Sequence, residues 1–92
     1  MSFTKESAAE HAKNDLANRL KISVGEIKQK SISEMDFPDM SLGAGEKGEM
    51  SAQMISSGWQ ISLSAGGKKY EYRADKYQLR LRNFDGANYV IE

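Results

Sequence analysis

The feature that most narrows the fold is a pair of adjacent glycines, Gly66-Gly67, set between two alternating runs. Upstream, Trp59, Ile61, Leu63 and Ala65 alternate with Gln60, Ser62 and Ser64. Downstream, Tyr70, Tyr72 and Ala74 alternate with Lys69, Glu71 and Arg73. Two glycines accept the positive φ that a tight two-residue turn demands. The pattern therefore predicts a β-hairpin with strands over about 59–65 and 68–74. Asp75-Lys76 turns the chain again, and Tyr77, Leu79 and Leu81 alternate with Gln78, Arg80 and Arg82, which predicts a strand over about 77–83. Asn83-Phe84-Asp85-Gly86 is a further turn, and Tyr89-Val90-Ile91 predicts a short last strand at 89–91. One apolar side per strand is the mark of an antiparallel meander with a dry face and a wet face.

A different period governs the start of the chain. Ala8, Ala12, Leu16 and Leu20 recur every four residues, with Ala9 and Ala17 beside them. That is the stripe of an amphipathic helix, predicted over about 4–20. Thr4 can cap it, Ser7 with Glu10 offers an alternative box, and Asp15 can pair with Arg19 one turn on. Ser23 and Glu26 form a second box-like pair around a single turn at 23–26, with Ile22, Val24 and Ile27 as its expected anchors. Irregular apolar spacing from Ile27 to Phe37 predicts an edge strand with a bulge over about 27–37, stopped at Pro38. Met50, Ala52 and Met54 predict another strand over about 50–55, and Ser56-Ser57-Gly58 reads as a break after it. Trp59, Met35, Met50 and Met54 are assigned to filling the core. The helix stripe and the dry face each need a partner and can supply one another. The expected fold is α+β: an N-terminal helix packed on an antiparallel meander of four to five strands, in two layers and one domain over 1–92.

Several function classes are excluded or disfavoured by content. Thirteen basic residues balance thirteen acidic ones among the 92, so the clear positive charge of a dedicated nucleic-acid binder is missing. With 39% hydrophobic and 28% charged residues, the chain should fold around a thin core. It has no cysteine, hence no disulfide or thiolate chemistry. Its start lacks the basic-then-apolar form of a secretory leader, and its apolar runs are too short to span a bilayer, so a cytoplasmic location is expected. A domain this small gains much from oligomerisation.

Some residues resemble a known pattern. Asp15-Leu16-Ala17, Arg19-Leu20 and Ile27 are followed by Met35-Asp36-Phe37-Pro38-Asp39 and Ser41-Leu42-Gly43, then by Gln53, Gly58-Trp59, Ile61, Leu63, Gly67 and Tyr70-Glu71-Tyr72. Together they resemble an uncharacterised small bacterial domain family with the pattern aromatic-Pro-Asp-x-Ser-Leu-Gly-Cys, often seen in exported or lipoprotein-like chains. The resemblance covers about residues 15–75 and implies no activity. Ala44 stands where those relatives tend to carry Cys, and Arg73 where they tend to carry His.

Local charge is uneven. Glu34, Asp36, Asp39, Glu46 and Glu49 face only Lys47 across 34–49, whereas Lys68, Lys69, Arg73, Lys76, Arg80 and Arg82 outnumber Glu71 and Asp75 across 68–82. The acids lack calcium-loop spacing and are expected to be a solvated loop, with no metal site. Gly43-x-Gly45-x-x-Gly48 has dinucleotide-type spacing but precedes strand residues instead of a helix, so no cofactor is expected. Lys69, Arg73, Arg80 and Arg82 are expected on a solvated basic sheet face; the acidic loop and this face can also meet, within one chain or between two.

The leading expectation is a non-enzymatic protein-interaction module, with a homodimer as one form. Its candidate interaction loop is Pro38, Asp39, Met40, Ser41, Leu42 and Gly43, in which Met40 and Leu42 either tuck in or face a partner. The alternatives are a small ligand-binding or enzymatic domain using His11, Asp15 and loop carboxylates, and a weak RNA binder through the basic face.

Overall fold

The computed structural model describes residues 2–46, 48–50 and 54–91. One helix packs on an open five-stranded antiparallel sheet whose strands lie side by side in chain order. Helix α1 spans Lys5–Leu20. The Thr4 hydroxyl accepts from the Ser7 amide at 3.1 Å, and the Ser7 hydroxyl accepts from the Thr4 amide at 2.9 Å. This reciprocal box uses Ser7 itself as the partner of Thr4 and satisfies two donors that a helix start leaves open. A single tight turn at Val24–Glu26 follows, closed by the Ser23–Glu26 box. Ile27 is buried behind it, whereas Val24, expected as an anchor, stays 45% exposed.

The strands are β1 Lys28–Phe37, β2 Ser56–Ala65, β3 Lys68–Ala74, β4 Leu79–Phe84 and β5 Ala87–Val90. β1 is an edge strand, and its bulge lies between Gln29 and Ser31. Gly66 and Gly67 hold φ of 57° and 80°, as the hairpin requires.

Three strand expectations are corrected. Of the strand expected over 50–55, residues 51–53 lie outside the described residues, while Met50, Met54 and Ile55 are exposed and outside any strand. The reason is register: β1 pairs directly with β2 from Phe37↔Ser56 onward, so no place exists between them. Met50 and Met54 are thus not core fillers. Ser56-Ser57-Gly58 is no break but the start of β2. At Gly58 an added Cβ would run into the carbonyl oxygen of Ala74, so only glycine lets the two backbones approach. Tyr77, expected on the dry face, is 75% exposed. The Asp75 carboxylate accepts from the Tyr77 and Gln78 amides at 2.7 and 3.0 Å, which prolongs the turn and delays β4 to Leu79.

The main core lies between α1 and the sheet. Ala8, Ala12 and Leu16 meet Ile61, Leu63, Tyr72, Leu79 and Leu81, all fully buried. Trp59 is half-buried against this cluster. The alanines let the helix axis come close, and the thin stripe is enough because one helix has only the middle of the sheet to cover. α1 lies against β2 and β4.

Candidate functional site

The opposite sheet face does not meet solvent as expected. The segment after β1 folds back across it, and a second, smaller apolar cluster forms there from Phe37, Leu42 and Ala44, each at most 1% exposed. Asp39 builds the turn: one of its carboxylate oxygens accepts from the Ser41 hydroxyl at 2.6 Å and from the Ser41 and Gly43 amides at 3.0 and 3.2 Å. Those bonds, the Ser41 hydroxyl first, hold the Asp39 carboxyl below the usual carboxylate range. They also hold Leu42 at a φ of 59°, a left-handed conformation uncommon for a branched side chain. Of the candidate loop, Ser41 and Leu42 are buried, Asp39 and Gly43 are half-buried, and Pro38 and Met40 remain exposed.

The basic residues of the sheet reach up into this loop. Arg80 is 5% exposed, and its two terminal nitrogens donate to the two carboxylate oxygens of Glu49 at 2.6 and 2.7 Å. One of those nitrogens also donates to the Ala44 carbonyl at 3.3 Å. Arg73 donates to the Leu42 carbonyl at 2.9 Å and to Glu71 at 2.6 Å, and its guanidinium lies 5.2 Å from the Phe37 ring centre. Gln78 donates to the Met40 carbonyl and Asn88 to the Gly45 carbonyl. A loop on a sheet face leaves main-chain carbonyls without ladder partners, and these side chains supply the donors. The Arg80 guanidinium first, and then the Glu46 amide, push the Glu49 carboxyl down to about 2.

Two expectations change together. Around Arg73 and Arg80 the basic face is covered rather than solvated, and there the acidic loop and the basic sheet meet within one chain. Of Lys69, Arg73, Arg80 and Arg82, the two central arginines are spent internally. Lys69 stays exposed, and Arg82 is exposed with its tip 3.6 Å from Glu71. Gln78, just before β4, and Asn88, within β5, were missed in the sequence as loop-holding groups and carried no signal beyond being amides.

On the helix side, the Asp15 carboxylate accepts from Arg19 and from the Tyr72 hydroxyl, each at 2.7 Å. Burial, then this bond to a carboxylate, drives the Tyr72 hydroxyl pKa upward. Arg19 also lies over the Tyr89 ring at 4.6 Å. Asp15 is thus engaged in a helix-to-sheet clamp, and the His11 ring packs edge-on against Phe3 at 5.3 Å. Gly45 and Gly48 lie in a segment that leads to β2 instead of a helix. Among the described residues no three His, Cys, Asp or Glu side chains are grouped to hold a metal ion, and no helix is long and apolar enough to cross a membrane.

A groove of about 480 Å³ runs between α1 and β1, lined by Ala9, Glu10, Lys13, Val24, Gln29 and Ile32 among others. Beyond it, the outer edge of β1 has no neighbouring strand.

Residues 9–82 match a family described as Domain of unknown function (DUF8738). No curated protein and no solved structure matches the chain.

Proposed function

The chain belongs to this family of unknown function (DUF8738), and from that premise we propose that it is a non-enzymatic protein-interaction module that recognises its partner along the outer edge of β1. The observation that carries this reading is the ten-residue strand Lys28–Phe37, open on one side and mostly exposed. An open edge offers a row of main-chain donors and acceptors to an added strand, and the groove beside it can take side chains from that strand. The other edge, β5, is only four residues long. Two of the charged groups that catalysis or phosphate binding would draw on are occupied internally: Asp15 by Arg19 and Tyr72, Arg80 by Glu49. Of the loop residues, Pro38 directly follows the Phe37 end of β1, whereas Met40 is held beside the start of β4 by Gln78 and Leu42 is buried.

The test is photo-crosslinking in cells. A photoreactive residue in place of Ser33, on β1, should give adducts to a protein, and one in place of Lys68, at the far hairpin, should not. Absence of adducts from position 33, or equal adducts from both positions, would refute the reading.

A further inference from the structure

We infer that the partner strand of the β1 edge carries two basic residues at alternate positions, set against Glu34 and Asp36, and an apolar residue at the next alternate position, set against Ile32. This rests on the interaction reading above and names the chemistry of its partner. Residues directly opposite one another in paired strands point to the same face. Ile32, Glu34 and Asp36 lie opposite Ile61, Trp59 and Ser57 of β2, so all three face the helix side of the sheet. Helix α1 lies over β2 and β4, and Glu34 and Asp36 are exposed. The inward side chains of an added strand therefore meet Ile32, Glu34 and Asp36 in turn. Either strand direction keeps that spacing and only reverses the order of the three residues.

The two ends of this strip differ in chemistry. Around Ile32 the groove has Ala9 and Val24 beside it, and the charges on its helix wall cancel, Lys5 and Lys13 against Glu6 and Glu10. That end suits an apolar side chain. Further along, a second cavity of about 460 Å³ is lined by Glu34, Asp36, Ser57 and Trp59, with no basic side chain among its described lining residues. The Ser57 hydroxyl donates to one Asp36 oxygen at 2.7 Å. Among the described residues neither Glu34 nor Asp36 has a cationic partner, whereas Asp15, Glu49 and Glu71 are each taken by an arginine. Trp59 is half-buried and gives the cavity an indole wall. A guanidinium placed there can lie on the indole and pair with a carboxylate at once. Two carboxylates on one face of a strand repel acidic residues opposite them and match basic ones at the same spacing. The lysines at the other end of β1 do not disturb this match. Lys28 lies opposite Ser64 and points to the loop side, and the bulge between Gln29 and Ser31 leaves Lys30 out of the ladder.

Peptide titration of the purified full chain tests this. The probes are Thr-Arg-Thr-Arg-Thr-Val-Thr, its reverse Thr-Val-Thr-Arg-Thr-Arg-Thr, and versions of both with glutamate for arginine. Trp59 is the single tryptophan, so its emission reports occupancy of the cavity. At least one arginine peptide should shift that emission saturably, and more weakly as salt is raised. It should bind about tenfold or more tightly than its glutamate version. Glu34→Lys with Asp36→Lys should reverse the preference, and a reversal also shows that the variant folds. Arginine peptides that leave the emission unchanged, glutamate versions that bind as well, or a variant that keeps the wild-type preference would each overturn the inference. Crosslinks from position 33 to a protein, together with arginine peptides that do not bind, would overturn the partner chemistry alone; no crosslinks from that position would remove the wider reading.

Discussion

Arg80 and Gly58 show how much a single position decides. Arg80 is an arginine on an alternating strand, and by that alternation it belongs to a wet face. It is buried because Glu49 gives it a two-pronged partner and Ala44 a carbonyl. Glu49→Gln leaves a buried guanidinium with a weaker partner and should lower stability by about 1–3 kcal/mol, read from urea unfolding at neutral pH. The pH dependence has a definite sign. The Glu49 carboxyl titrates at about 2 in the folded chain against 4.5 for an unperturbed glutamate. Its contribution is therefore full above about pH 4.5 and fades as the pH falls toward 2. Thermal melts of Glu49→Gln should depend less on pH across that window than those of the wild type. Asp39, also lowered, adds a dependence of the same sign. Gly58→Ala forces a Cβ into the Ala74 carbonyl and should cost about 2 kcal/mol or more, seen as a lowered urea midpoint.

At the scale of elements, α1 is held by its cap, its alanine stripe and the Asp15–Arg19–Tyr72 clamp. The helix lies over the middle of the sheet, so the clamp fixes its orientation as well as its depth. Tyr72→Phe removes one hydrogen bond to a carboxylate at a fully buried ring. It should lower stability by about 1–2 kcal/mol in urea unfolding while leaving the helix content in circular dichroism unchanged. The loop after β1 behaves as a second layer on the other face. Its apolar anchor is small, Phe37 with Leu42 and Ala44, and much of its hold is polar. Arg80→Met should loosen the loop without unfolding the sheet, and a glutamate-specific protease should then cut at Glu46 or Glu49 faster than in the wild type. Unchanged cleavage would mean that the apolar anchor alone holds the loop.

Over the whole molecule, two unequal cores sandwich one sheet. The helix-side core joins one helix to buried residues of β2, β3 and β4, and the loop-side cluster is a few residues wide. Amide hydrogen exchange should therefore release the Leu42, Gly43 and Ala44 amides well before those of Ile61, Leu63 and Tyr72, which should exchange only with global unfolding. What the sequence determined by itself was local: the helix and its cap at Thr4, the hairpin at Gly66-Gly67, the bulged edge strand ending at Phe37, and the α+β class. Each rests on a periodicity or turn chemistry contained within a few neighbouring residues. What only the tertiary structure decided was non-local. Met50 and Met54 alternate like strand residues, yet the β1–β2 register leaves them no neighbour. Tyr77 alternates too, but the Asp75 carboxylate holds it in the turn. Glu49 and Arg80 stand 31 residues apart, and nothing in the spacing of either announces the other. The edge of β1 lies between these cases: its ten residues are consecutive, but only the sheet order shows that this strand has an open side. A strand's charge pattern is set by covalent order, whereas the partner it meets is set by where the rest of the chain leaves room.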